Sequence, residues 1–226
     1  MSSIKVKICG LKRKNDVQMC MNLGVDILGF VTEYPLPVPW NLSRTEALPL
    51  LSIVQSQHRS CIVTGGAPEK VIELASSLRP SMVQLHYNET LEDTIMISEA
   101  LHELNIDVIK TVPPRVEDRI FQFGTSDIET IVAELCKTSL YGLLADSRVP
   151  ANASENGTRL DLDFCIEIIN RSSKPVIIAG GINADNVCSF VTQTGTEFID
   201  IMTGVESSPG EKDAALLSRL LSSIRK

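Results

Sequence analysis

The chain has 226 residues, 43% hydrophobic and 22% charged, with a formal net charge of −7. That length and apolar fraction allow a full core, and α/β barrels of this size commonly form one domain. The negative balance argues against nucleic-acid and anionic-membrane partners, and no apolar run approaches the roughly 20 residues of a membrane-spanning helix.

Short apolar runs alternate with longer segments of helical period. The first run covers 4–9 and is followed by a predicted helix over 15–23, with Gly24 as its C′ glycine. The second run, 26–31, leads into a proline-rich loop over 32–42, and Ser43 is placed to cap a helix over 44–54. A third run, 61–64, precedes a helix opened by Pro68 and continuing to 78. Run 82–86 and a helix over 91–104 follow, then run 107–112. The stretch 113–138 is longer than a crossover needs and reads as a loop and then a helix over 127–136. Run 140–145 leads to a polar loop over 146–159 and a helix over 161–170. The last two units pair run 175–179 with helix 184–192, and run 198–201 with helix 212–224.

Strands that read as continuous apolar runs, each followed by a helix, indicate a parallel sheet covered on both faces. Eight such units predict an α/β fold, a single-domain (β/α)8 barrel over 1–226. A doubly wound open sheet is the competitor, and the absence of GxGxxG after the first run weighs against it. Cys9, Cys20, Cys61, Cys136, Cys165 and Cys188 are scattered, with no CxxC pair, which fits reduced thiols in a cytoplasmic protein. The segment before the first strand has no apolar region of a secretory signal. His58, His86 and His102 lack metal-ligand spacing, so no metal site is expected.

In such a barrel the chemistry lies at the carboxyl ends of the strands. Cys9 ends the first run and shares a strand face with Lys7, an ammonium that favours a thiolate. Gln84 and His86 share a face at the end of the fourth run, and Asp146, Ser147 and Arg148 follow the sixth. Gly180 and Gly181 follow the seventh run, and Thr203 and Gly204 the eighth. Glycines let backbone N–H groups approach an anion, and these two loops are the usual phosphate site of the fold. An acid and a base flanking a phosphate site point to an isomerase or lyase step on a phosphorylated small molecule, without a cofactor.

Lys7-Ile8-Cys9-Gly10-Leu11, Gly29-Phe30-Val31, Val83-Gln84-Leu85-His86, Leu144-Ala145-Asp146-Ser147, Ala179-Gly180-Gly181-Ile182-Asn183 and Thr203-Gly204-Val205-Glu206 occur in this order, with Pro209-Gly210 and Lys212-Asp213 after them. Together they resemble the phosphoribosylanthranilate isomerases of tryptophan biosynthesis. The resemblance implies a TIM barrel and an Amadori rearrangement, with Asp146 as general acid on the furanose ring oxygen and Cys9 as general base at C2′.

Three stretches depart from the family pattern. Trp40, in Pro37-Val38-Pro39-Trp40-Asn41-Leu42-Ser43, stands where the family has an arginine that grips the anthranilate carboxylate. Gly157-Thr158-Arg159 replaces Gly-Thr-Gly, and His86-Tyr87-Asn88-Glu89 replaces His-Gly-Asp-Glu. An indole makes no bidentate pair with a carboxylate. Either Arg148 or Arg159 supplies the missing charge, or Trp40 stacks on the ring of another phosphoribosyl amine. A non-catalytic phosphate-binding barrel is a further reading, against which the presence of both Cys9 and Asp146 counts. An aldolase would need a Schiff-base lysine at a strand end, for which Lys110 is the candidate. The choice between monomer and homodimer stays open.

Overall fold

The computed structural model describes residues 4–146 and 161–225. Eight parallel strands close into a barrel in chain order: β1 (Lys5–Ile8), β2 (Ile27–Val31), β3 (Arg59–Thr64), β4 (Met82–Leu85), β5 (Asp107–Val112), β6 (Gly142–Asp146), β7 (Val176–Ala179) and β8 (Phe198–Ile201). Around them run helices α1 (Lys14–Asn22), α2 (Arg44–Leu51), α3 (Pro68–Leu78), α4 (Leu91–His102), α5 (Val116–Phe123), α6 (Ile128–Cys136), α7 (Leu162–Arg171), α8 (Val187–Thr194) and α9 (Ala214–Ile224). A hairpin of β9 (Glu206–Ser208) and β10 (Glu211–Lys212) follows β8.

Strand β2 shows why the apolar runs are continuous. Leu28 and Phe30 join the core between sheet and helices, while Ile27 faces the barrel interior beside Cys61, Met82 and Ile109. With both faces buried, no position along the strand is left for water. Each such side chain contributes about 1.5–3 kcal/mol when fully buried. Helix starts follow local chemistry. Ser43 and Glu46 form the capping box of α2, Pro68 opens α3, and Thr90 with Asp93 forms a second capping box on α4. Asp127, Asp161 and Asp213 cap α6, α7 and α9.

Three expectations shift. The stretch 113–138 holds two helices, because α5 forms before Gly124 terminates it in a left-handed conformation. Strand β6 runs to Asp146 itself, so this carboxyl group belongs to the strand end. Lys212 sits in the β9–β10 hairpin, and α9 begins beyond it under the Asp213 cap.

Candidate active site

The barrel closes where β1 pairs with β8, and Lys7 lies opposite Asp200 in that register. Both side chains are buried inside the barrel, and the Lys7 ammonium donates to Asp200 Oδ2 at 2.6 Å. Burial opposes the Lys7 charge, but Asp200 with the Cys9 and Cys61 thiols overcomes it and holds the ammonium charged well above its ordinary range. Cys9 follows β1 directly and continues the seam, its N–H donating to Ile201 O at 2.9 Å. The room for this arrangement comes from Gly29 on β2. A methyl group there would stand 3.2 Å from Cys9 Sγ and 3.2 Å from Lys7 Cε.

The neighbourhood of Lys7 and Cys9 is as the strand period predicts, but the sense of the Cys9 perturbation is not. Burial pushes the thiol up, Lys7 draws it down, and Asp200 pushes it up again. The net direction is upward. An ammonium already paired with a carboxylate is a weak partner for a thiolate, and desolvation of the anion prevails.

Asp146 ends β6 and is 1% exposed. Its Oδ2 lies 3.9 Å from Nε2 of His86, the residue just beyond β4. On its other side, His86 Nδ1 faces the Gln84 amide nitrogen at 3.2 Å and the Thr111 hydroxyl at 2.8 Å. Gln84, His86 and Asp146 therefore form one group at the mouth. The Gln84 carbonyl oxygen and Asp200 Oδ1 are buried acceptors with no partner among the described residues, and such groups are rare enough to suggest an incoming donor.

Trp40, in the loop after β2, packs with Cys9, Val31, Tyr34 and Val63 in an apolar cluster at the mouth. Its indole lies over Gly10, with Cδ1 2.7 Å from where a Cβ would stand. The indole N–H donates to Glu206 Oε1 at 2.9 Å, and the same oxygen accepts from the Lys212 ammonium at 2.6 Å. The loop is also tied to β4, since the Tyr34 hydroxyl donates to His86 O at 2.8 Å.

The loops after β7 and β8 meet beside this mouth. Gly180 and Gly181 both have positive φ, at 103° and 63°. Thr203 and Gly204 lie in a single 3₁₀ turn, and a Cβ on Gly204 would stand 1.9 Å from Ile182 O. The two glycine loops touch only because Gly204 has no side chain. Arg148 and Arg159, with Ser147, Gly157 and Thr158, lie outside the described residues.

Lys110 is placed differently from its sequence reading. It is wholly buried on the outer face of β5, paired with Glu89 at 3.0 Å and 5.9 Å from the centre of the Phe123 ring. Burial pulls its ammonium down, with Glu89 opposing. Glu89 also accepts from the Gly66 and Tyr87 N–H groups, so the pair ties the loops after β3 and β4 together. A lysine held behind the sheet does not reach a ligand at the mouth.

Asp200, Glu206 and Lys212 fall within the matched family pattern but were given no role from sequence, and Thr111 was not singled out. For Asp200 a signal exists, a lone charge inside the apolar Phe198-Ile199-Asp200-Ile201 run. A cavity of about 600 Å³ opens at the opposite end of the barrel, lined by Lys5, Lys174, Glu197 and Phe198. That end serves stability in this fold. Among the described residues, no three His, Cys, Asp or Glu side chains gather in a metal-binding group.

The family model of N-(5′-phosphoribosyl)anthranilate (PRA) isomerase matches residues 6–223. A relative in Methanopyrus kandleri, N-(5′-phosphoribosyl)anthranilate isomerase, is 30% identical over 218 residues, which cover 96% of this chain and 97% of its own. The structure of a phosphoribosyl anthranilate isomerase with reduced 1-(o-carboxyphenylamino)-1-deoxyribulose 5-phosphate matches with a TM-score of 0.76 at 24% identity, over 98% of each chain. Monomers generated from the dimeric enzyme of Thermotoga maritima match at 0.77 and 23% identity, also over 98% of each chain. At those identities the structural likeness speaks to the fold.

Proposed function

The chain belongs to the N-(5′-phosphoribosyl)anthranilate isomerase family, and from that membership we propose that Cys9 and Asp146 are the base and the acid of the family's reaction here. The activity is an Amadori rearrangement in tryptophan biosynthesis, converting N-(5-phosphoribosyl)anthranilate to 1-(2-carboxyphenylamino)-1-deoxyribulose 5-phosphate. The observation that carries the residue assignment is the placement of a buried thiol at the end of β1 and a buried carboxyl group at the end of β6, at one barrel mouth.

Asp146 gives its proton to the furanose ring oxygen. The C1′–O bond breaks, the anthranilate nitrogen donates its pair, and an iminium forms. Cys9 as thiolate removes the C2′ proton, and the C2′–H electrons neutralise the iminium to give the enolic amine, which tautomerises to the ketose. The raised Cys9 thiol fits this order of events. Without substrate, burial keeps the base protonated. The thiol's own proton passes to solvent water as substrate binds, and the iminium forming beside the sulfur then favours the thiolate that takes the C2′ proton.

The phosphate is assigned to Gly180, Gly181, Thr203 and Gly204, on the two glycine loops that meet beside the mouth after β7 and β8. Gln84 and His86 contact the sugar, with the unpartnered Gln84 oxygen and Asp200 Oδ1 accepting from its hydroxyls. The Trp40 N–H is engaged by Glu206, so Trp40 offers the aromatic ring an apolar face. Arg148 and Arg159 are the sequence candidates for its carboxylate. No helix among the described residues is long and apolar enough to cross a membrane. The scattered thiols support a cytoplasmic setting, and a single barrel over 1–226 carries the whole site, as monomer or homodimer.

The test is loss of N-(5-phosphoribosyl)anthranilate fluorescence with purified protein, together with rescue of a tryptophan auxotroph. Turnover and rescue are expected. Binding of a phosphoribosyl amine without turnover would favour the non-catalytic barrel, and turnover of a different amine would reassign the substrate.

A further inference from the structure

His86 has two nitrogens in different surroundings, and the difference bears on where its proton sits. Nδ1 faces the Gln84 amide nitrogen at 3.2 Å, a group with hydrogens to give and no lone pair to offer. The Thr111 hydroxyl, 2.8 Å from the same Nδ1, also has a hydrogen to give. With the Gln84 amide nitrogen a donor only and the Thr111 hydroxyl able to donate or accept, the neutral ring that satisfies both contacts carries its hydrogen on Nε2. Nε2 is the atom turned toward Asp146, 3.9 Å from Oδ2. The ring is held in place by its own backbone as well, because His86 O accepts from the Tyr34 hydroxyl.

We propose that His86 is a positioning residue for the acid of the reaction: locked as the Nε2–H tautomer by Gln84 and Thr111, it presents that N–H to the Asp146 carboxylate formed when the proton leaves for the ring oxygen. This rests on the isomerase reading of the site. Asp146 is 1% exposed and lies at an apolar mouth. A carboxylate created there has lost most of its water, so an N–H approaching it stabilises the anion and strengthens the acid. His86 donates this hydrogen bond without transferring a proton. Among the described residues, the titratable groups facing the pair are Tyr34 from the loop after β2 and Cys165 on α7. Burial pushes Tyr34 up, and pushes Cys165 up to about 12, so both remain neutral spectators. Lys110 and Glu89 lie behind β5 and β4 as a closed pair.

Nitrogen-15 NMR of the ligand-free protein, labelled at histidine, reads the tautomer without substrate. A protonated Nε2 with a bare Nδ1 is expected for His86, and the Nδ1–H tautomer would overturn the proposal. In kinetics, His86→Leu is expected to lower kcat about ten- to a hundredfold, the loss of one hydrogen bond to a charged group. It is also expected to move the Asp146 ionisation in the kcat/KM profile to higher pH, because the carboxylate loses its donor. His86→Gln, which keeps an N–H near the Nε2 position, should return the profile toward that of the unmutated protein. His86→Leu and His86→Gln profiles that coincide, or a His86→Leu profile unmoved from wild type, would overturn the proposal. Absence of turnover by the unmutated protein would instead sink the isomerase reading, while the tautomer remains readable.

Discussion

Burial and charge pull the Cys9 thiol in opposite directions, and burial prevails. The ammonium beside it answers first to Asp200. The Lys7–Asp200 pair also stands on the barrel seam, where removing one partner leaves a charge without solvent. Lys7→Met is therefore expected to cost about 3–5 kcal/mol in urea unfolding. The double change Lys7→Met with Asp200→Leu should recover most of it, because an apolar pair of similar volume leaves no unpaired charge. A Lys7→Met protein as stable as wild type would show that the pair is solvated. Lys7 and Cys9 were legible in sequence as strand neighbours on one face. Asp200 was not legible as their partner, since the register between the first and last strands belongs to the closed barrel. The direction of the Cys9 shift was equally hidden, because desolvation depends on what covers the thiol.

Among the elements, the eight strands and most helix starts follow from apolar runs, capping residues and Pro68. Helix α5 was missed for a physical reason. Its Val116, Ile120 and Phe121 are exposed, while Arg119 and Gln122 are buried. Arg119 turns inward to donate to Pro113 O, Pro114 O and Ser126 O. A helix with its polar residues inside defeats a reading by apolar period. The two glycine loops, Gly180-Gly181 and Thr203-Gly204, were legible in sequence, but not the close approach of Gly204 to Ile182 O. Gly204→Ala must push these loops apart. KM is expected to rise about ten- to a hundredfold, as for the loss of a charge-assisted N–H contact, with the unfolding transition lowered by about 1–3 kcal/mol from the forced backbone shift. An unchanged KM would place the phosphate elsewhere.

At the scale of the molecule, the barrel encloses several thiols whose charged form it excludes. Burial pushes Cys20, Cys61 and Cys165 up to about 12, and Cys9 in the same direction. In the unfolded chain these thiols ionise near their ordinary range, so above about pH 8.5 the unfolded state binds fewer protons than the native state. Stability contributed by the buried thiols is full below that pH and declines as pH rises toward 12. Lys7, held protonated in the fold, acts in the same direction at higher pH. The unfolding free energy from urea titration is expected to fall between pH 8 and pH 11, by about 1.4 kcal/mol per pH unit for each thiol ionised only on unfolding, and the urea midpoint with it. A flat midpoint would mean that the thiols are open to solvent.

On the proposed reading, the barrel sets Cys9, just after β1, and Asp146, at the end of β6, around one ligand. The most direct measurement is turnover of N-(5-phosphoribosyl)anthranilate by the unmutated protein, Cys9→Ser and Asp146→Asn side by side, with unfolding followed on the same samples. Both variants are expected to lose about 10²–10⁴-fold in kcat while remaining folded. A folded Cys9→Ser or Asp146→Asn protein that turns over at the unmutated rate would contradict the acid–base assignment.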